Sequence, residues 1–273
     1  MAIHIDPISP IAFSIFGLEI RWYALAYIAA FILGFWLMRQ LAEKYKALGD
    51  VKDKKKFWDD IMAYGIIGVI AGGRLGYVLF YNLEYFLSHP LEIFALWHGG
   101  MSFHGGLLGV IAAAAFFARV KKVSFLRLMD LAAVAAPIGL FLGRIANFIN
   151  MEVMGRATES SIGVIFDGTG QVFARHASPL YEAALEGAVL FAIMFAMYRV
   201  KWFRARAGFI CGSFVVLYAV FRIFAEQFRE PDSHIGFLTS WGLTMGQLLS
   251  AIMVLAGAAA IYKSFAKTKK EKK

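Results

Sequence analysis

Long apolar runs, broken at near-regular intervals by short polar segments, dominate the chain. Taking windows of about 18 to 25 apolar residues as the length that crosses a bilayer, seven such runs occur. They lie at approximately 21–40, 59–82, 100–119, 128–148, 180–198, 208–228 and 242–262. None shows sustained alternation of apolar and polar residues, so each predicts a helix. The pattern therefore predicts an all-α integral membrane protein of about seven transmembrane helices, forming a single membrane domain over residues 1–273. The first run lacks a preceding Lys or Arg and a small-residue cleavage pattern, and reads as a retained helix.

Three connections carry structure of their own. The stretch "MAIHIDPISPIAFSIFGLEI" mixes prolines with apolar residues and suits a segment lying along the membrane interface. The connection "YNLEYFLSHPLEIFALWHGG" is rich in aromatics, has no Lys or Arg, and predicts an interfacial arm. Residues 150–179 form the longest connection on their side. There "GVIFDGTGQVF" predicts a strand, a glycine-containing turn and a second strand, hence a small extracytoplasmic cap.

Charge placement sets the orientation. Of 28 basic residues, seven fall between Arg39 and Lys56, four between Arg119 and Arg127, four between Arg199 and Arg206, and six from Lys263 onward. These are alternate connections and the C-terminus, which predicts an N-terminus outside and a C-terminus in the cytoplasm. Residues 264–273 then read as a disordered basic cytoplasmic tail drawn to the lipid surface. The net charge of +9 follows from topology, and no nucleic-acid partner is implied. The seven remaining basic residues, Arg21, Arg74, Arg144, Arg156, Arg175, Arg222 and Arg229, are all arginine, whereas every lysine lies on the cytoplasmic side. Arginine stays charged and offers carboxylates and phosphates a planar two-pronged donor face. An outward-facing set of arginines at headgroup level points to a phosphate-bearing ligand. Sixty per cent hydrophobic content is more than a soluble domain of 273 residues buries in one core. The lone Cys211 excludes an intrachain disulfide and reads as a small buried hydrophobe, and no Cys/His cluster has metal-ligand spacing.

Polar side chains at membrane depth are costly and face a bundle interior or a water-filled cavity. In "GRIANFINMEVMG", Arg144 and Asn147 share a helix face that Asn150 continues, with Glu152 just beyond. These groups either pair with one another at a helix end or line a site. In "YAVFRIFAEQFREPD", Arg222, Glu226 and Arg229 follow at spacings of four and three, so that two guanidinium groups flank a carboxylate on one helix face. Such a stack is structural glue, a phosphate clamp, or both, and spacing leaves Arg222 and Arg229 equal as the ligand-facing member. His104 in "GGMSFHGGLLGV" sits beside Gly105 and Gly106, which permit close approach of a backbone or lipid chain. It is either a satisfied core residue or the available general base. Arg74, Tyr77 and Tyr81 in "GGRLGYVLFYN", and Arg21, Trp22 and Tyr23 in "RWYALAY", belong either to an aromatic belt or to a site. In "RHASPLYEAALEG", Glu182 and Glu186 lie four apart on one face, placed to pair with buried arginines.

These motifs, in this order and over nearly the whole chain to "TMGQ" at Gln247, resemble the prolipoprotein diacylglyceryl transferases of bacterial inner membranes. One departure is "RHASPLYE", where the family more often reads RHPSQLYE. The resemblance implies a multi-pass enzyme that moves the diacylglyceryl group of phosphatidylglycerol onto the lipobox cysteine of preprolipoprotein signal peptides. The products are a thioether and glycerol 1-phosphate, and no metal or other cofactor is involved. It also implies that Tyr23, His104, Arg144, Asn147, Gly155 and Arg222 are essential, with Arg74, Glu152, Glu226 and Arg229 supporting the site. This favours Arg222 over Arg229; the incoming thiol also needs a base, for which His104 is the candidate, with Tyr23 or a water as the alternatives. An anion or phospholipid transporter is the alternative, since it too places arginines at membrane depth, although no matched pair of interrupted segments marks an inverted repeat.

Overall fold

The computed structural model describes residues 2–231, 236–239 and 242–270. The chain forms two compact units, one comprising residues 1–40 and 130–273 and the other residues 41–129. Six helices are long and apolar enough to cross a membrane: Trp22–Tyr45 (α1), Lys54–Tyr81 (α2), Phe103–Val120 (α4), Phe125–Ile149 (α5), the continuous rod Ser178–Arg199 and Met245–Ala266. The protein is a multi-pass, mostly helical membrane protein. The sixth predicted run yields a shorter helix, Phe209–Ala225 (α9), instead of one reaching residue 228. Asp130 on α5 fixes its start, its carboxylate accepting from the Gly208 and Cys211 backbone N–H groups at 2.8 Å each, which satisfies orphan donors of the first turn.

In the unit of residues 41–129, α2 and α4 cross at van der Waals range because glycines replace side chains along both. A β-carbon on Gly72 would lie 2.6 Å from Gly109 Cα, and one on Gly76 would lie 2.6 Å from Gly105 Cα. Packing of bare backbones is how apolar helices associate where no water drives them together. Between these helices runs the expected arm: helix α3, Leu83–Ser88, then single 3₁₀ turns at Pro90–Phe94 and Leu96–His98. Leu87, Leu91, Phe94 and Trp97 are exposed on it while Phe86 and Ala95 are buried, as an interfacial segment requires.

In the other unit, the N-terminal stretch is a strand, β1 (Ile3–Ile5), followed by an antiparallel hairpin of β2 (Ile11–Ile15) and β3 (Leu18–Arg21). The hairpin turns through Phe16 and Gly17, both with positive φ, the geometry that matches strand twist in a two-residue loop. The predicted hairpin at 163–173 is not formed. Its first strand, β4 (Val164–Phe166), pairs in parallel with β1, 161 residues away in sequence from Ile3 to Val164, and bridges to Arg175. The expected second strand is replaced by the side chain of Gln171, whose amide donates to Val164 O and Phe173 O and accepts from Phe166 N. Helix α5 packs on α1 through small residues, Gly34 against Ala135 and Gly139 against Ala30. The rod Ser178–Arg199 comprises α6 (Ser178–Glu182), a π-wound segment (Ala183–Val189) and α7 (Leu190–Arg199), with the short helix α8 (Lys201–Arg204) after it.

The last helix, α10 (Met245–Lys270), opens with a reciprocal capping box. Thr244 Oγ1 accepts from Gln247 N at 3.2 Å, and Gln247 Oε1 accepts from Thr244 N at 3.1 Å. This gives "TMGQ" its end residues, and helical backbone continues to Lys270 where a disordered tail was expected. Glu271, Lys272 and Lys273, the end of that tail, lie outside the described residues.

Candidate active site

Helix α5 carries Arg144 one turn before its end, α9 carries Arg222 in its last turn, and the rod that begins at Ser178 carries Glu182 and Glu186, both fully buried. The rod's winding widens to π geometry from Ala183, a feature that recurs at functional sites. It does so where Gly187 meets α5 so closely that a β-carbon there would lie 2.6 Å from Phe141 Cβ. Glu182 is the hub. Its Oε2 stands 2.7 Å from Arg144 Nε and 2.9 Å from Arg222 Nη1, and its Oε1 stands 3.7 Å from Arg229 Nη1. Glu186 is looser, 3.5 Å from Arg144 Nη2 and 3.7 Å from Arg222 Nη1. Glu226 closes the far side at 2.9 Å from Arg222 Nη2. Gly246 of α10 leaves it room, for a β-carbon at that position would lie 2.8 Å from Glu226 Oε1.

Three guanidinium groups and three carboxylates make this cluster formally neutral, the condition under which charges persist away from water. Several contacts reach ion-pair distance without hydrogen-bond alignment. Both oxygens of Glu182, one of Glu186 and Arg222 Nη1 are buried and carry no hydrogen bond among the described residues. The cluster thus holds its charges in place by opposite charge at short range.

The expectation that Glu182 and Glu186 pair with buried arginines is met. Placement of Arg222, Glu226 and Arg229 on one helix face is corrected. The helix ends at Ala225, Glu226 caps it, and Arg229 lies in an extended segment bridged to Gly155. Its guanidinium reaches Glu182 from outside the helix.

At the end of α5, Asn147 within the helix and Asn150 just past it donate to the two oxygens of Glu152 at 3.2 and 3.4 Å. Met151 and Val153, on either side of Glu152, both have φ near +57°. That conformation is strained for a side chain, above all a β-branched one, by about 1–3 kcal/mol each, and such strain gathers at functional sites. Ser178 Oγ holds the bend by donating to Val153 O at 2.8 Å. The next turn enters a backbone ladder: Gly155 N donates to His176 O at 2.8 Å and Arg156 N to Phe228 O at 2.9 Å. Arg156, one of the seven outward arginines but given no site role by the motifs, secures the same crossing by donating from Nε to Arg229 O at 2.9 Å. Burial pushes the His176 imidazole down from its ordinary pKa, beside Tyr181 Oη at 3.2 Å. Tyr23, near the start of α1, pairs with the Tyr27 hydroxyl at 3.5 Å.

Arg74 and His104 belong to the unit of residues 41–129. His104 is exposed in the first turn of α4, its ring edge-on to Phe103. Arg74, 5 % exposed, has a different task from the ligand contact expected of it. Its five N–H groups face five backbone carbonyls: Ile93, Gly99, Gly100, Glu92 and Ala95, at 2.5 to 3.2 Å. The fork is committed to folding the arm, with Phe86 stacked 5.0 Å away. Arg74→Lys is therefore expected to lower stability by about 2–4 kcal/mol, because an ammonium group cannot reach carbonyls spread over that span and leaves several buried acceptors unpaired. Thermal unfolding and limited proteolysis within 83–100 check this; an unchanged cleavage pattern would sink the assignment.

The family model described as "Prolipoprotein diacylglyceryl transferase" matches residues 10–263. Relatives described as phosphatidylglycerol–prolipoprotein diacylglyceryl transferase include one from Azospirillum brasilense, 49 % identical over 258 residues, with 94 % of each chain covered. Another, from Geobacter sulfurreducens, is 51 % identical over 255 residues, covering 93 % of each chain. A third, from Rickettsia felis, is 48 % identical over 258 residues, covering 94 % of this chain and 97 % of its own.

Proposed function

We propose that this chain, which belongs to the prolipoprotein diacylglyceryl transferase family, transfers the diacylglyceryl group of phosphatidylglycerol to a cysteine thiol of a prolipoprotein. The observation that carries the reading is the buried set of three arginines around Glu182. In the reaction, a thiolate sulfur attacks the glyceryl carbon, the bond from that carbon to the phosphate oxygen breaks, and its electron pair leaves on the phosphate. The thiol proton departs with no change of oxidation state. Negative charge grows on the leaving phosphate, and fixed guanidinium donors in a dry site stabilise that change without reorganising. Arg144 and Arg222 bind the phosphate; Tyr23, Asn147 and Glu152 orient the headgroup; Arg229 and Glu226 hold the arginines in register. His104 takes the thiol proton, and Arg74 acts through the arm.

Basic residues at alternate connections support an N-out, C-in arrangement in the bacterial inner membrane, with α9 as a seventh, short span. Residues 150–179 form the extracytoplasmic head of a single membrane domain, and 264–273 its basic cytoplasmic end.

The test combines the purified protein, phosphatidylglycerol and a peptide bearing the acceptor cysteine. A diacylglyceryl mass gain on the peptide, matched by released glycerol phosphate, is the expected result. Absence of modification by a folded, lipid-bound protein would overturn the proposal. In the same assay Arg144→Lys, which keeps charge and loses the planar fork, is expected to be at least about 100-fold slower, and near-normal turnover would remove the clamp.

A further inference from the structure

The segment that follows α9 carries two side chains of the arginine cluster, and a residue outside the cluster holds that segment. In the last turn of α9 the carbonyls of Arg222, Phe224 and Ala225 accept from the N–H groups of Glu226, Gln227 and Phe228 at 2.9 to 3.1 Å. The carbonyls of residues 226–229 come after the helix and need partners from elsewhere. Arg156 meets three of them: Nη2 donates to Glu226 O at 3.4 Å, Nε to Arg229 O at 2.9 Å and its backbone N–H to Phe228 O at 2.9 Å. The guanidinium therefore stands at the C-terminal end of α9, where the helix dipole favours a cation, with the Phe237 ring 5.3 Å away. Among the described residues both side-chain hydrogen bonds of Arg156 go to backbone carbonyls, so what it fixes is backbone.

Two of the three residues so held reach into the cluster. Glu226 stands 2.9 Å from Arg222 Nη2, and Arg229 Nη1 stands 3.7 Å from Glu182 Oε1. Peptide units are rigid, so fixing a carbonyl at each end of 226–229 sets where both side chains begin. Arg156 is tied on its other edge as well. Its carbonyl accepts from His176 N at 2.9 Å, just ahead of Ser178, where the rod bearing Glu182 and Glu186 begins. One residue thus joins the start of that rod to the end of α9, the two elements whose side chains meet around Arg222.

We propose that Arg156 is a positioning residue of the transfer reaction: bonded to the carbonyls of Glu226, Phe228 and Arg229 and to the His176 N–H, it sets the reach of Glu226 to Arg222 and of Arg229 to Glu182. The inference rests on the proposed transfer reaction, since it concerns the groups that hold a phosphate-binding arginine. A direct phosphate contact is the competing role for this arginine. It fits less well, because Nε and Nη2 are the two nitrogens of one planar edge and both already donate to the protein.

The experiment uses the intact protein in detergent with phosphatidylglycerol and the cysteine peptide, and expresses turnover per folded molecule, so that a loss of folded protein alone does not register. Arg156→Gln is expected to lower kcat about tenfold with both KM values within about twofold, because small displacements of charge-stabilising groups are felt at the chemical step. In an Arg229→Gln background the same substitution is expected to cost only about threefold, since the part that acts through Arg229 is already lost. An unchanged kcat, or losses that are fully additive, would overturn the inference. A raised KM for phosphatidylglycerol with kcat kept would make Arg156 a lipid contact instead. If Arg156→Gln does not fold, Arg156→Lys decides: its ammonium meets one of the two carbonyls, so kcat is expected to fall about threefold, and wild-type kcat counts against the assignment. Lipidation by the unaltered protein is scored separately. Its absence sinks the reaction itself, while intact lipidation with unmoved kcat in the variants sinks only the role of Arg156.

Discussion

Glu182→Gln is expected to lower stability by about 3–5 kcal/mol in chloride buffer and to abolish most activity, and phosphate is expected to restore much of the lost stability. The substitution is nearly isosteric, so its effect is electrostatic. The wild-type cluster balances three guanidinium groups with three carboxylates; the variant leaves one buried positive charge uncompensated, and breaking a buried ion pair from one side costs about that amount. Glu182 contacts both Arg144 and Arg222, at 2.7 and 2.9 Å. Glu186 contacts the same arginines at 3.5 and 3.7 Å, so Glu186→Gln is expected to cost less. An inorganic phosphate or glycerol phosphate binding among the arginines replaces the missing charge. Its binding to the folded state then raises the unfolding temperature more in the variant than in the wild type. Recovery of folded protein is measured in matched chloride and phosphate, which keeps the test decisive even where the variant does not fold in chloride. Equal phosphate effects in variant and wild type would mean that the cradle does not accept a phosphate.

How much of this was legible in the sequence depended on range. Six apolar runs became helices long enough to span, and the placement of Arg144, Asn147 and Glu152 at one helix end followed from spacings of three to five residues. Pairing of Glu182 with Arg144 was readable because buried charges of opposite sign have few other partners. The failures share one cause: the deciding contact came from far along the chain. Val164 pairs in parallel with Ile3 and meets its own return segment only in a single bridge at Arg175, so the three-residue ladder of β4 is made with β1 and not with the segment after the turn at 168–170. Arg229 left the helix because Gly155 offers an extended partner, and helix periodicity has no knowledge of that partner. Arg74 looked like a ligand contact because a charge at depth signals function. The carbonyls that satisfy it belong to an arm whose single 3₁₀ turns leave them pointing inward, a feature without a sequence period.

The two glycines that bound "GRIANFINMEVMG" are expected to respond in opposite directions to the same change. Gly155→Ala is expected to destabilise by about 2–4 kcal/mol, at or beyond the usual cost of overpacking, and to reduce activity by more than its stability loss implies. A β-carbon there would clash with the Phe228 carbonyl oxygen and lie 2.8 Å from both the carbonyl oxygen and Cβ of His176. Two of those obstacles are backbone atoms with existing duties: His176 O accepts from Gly155 N and Phe228 O from Arg156 N. Relief therefore requires opening the ladder, and the strand that moves carries Arg229, which contacts Glu182. Gly143 lies inside α5 with nothing within 4 Å of an added β-carbon and no positive φ. Gly143→Ala is accordingly expected to be neutral or to stabilise by up to about 1 kcal/mol through helix propensity. Thermal unfolding and turnover of both variants, prepared side by side, check the pair. A tolerated Gly155→Ala would show that the ladder opens at little cost and that Arg229 is not held by it. A damaging Gly143→Ala would instead point to a close partner for α5 at that position.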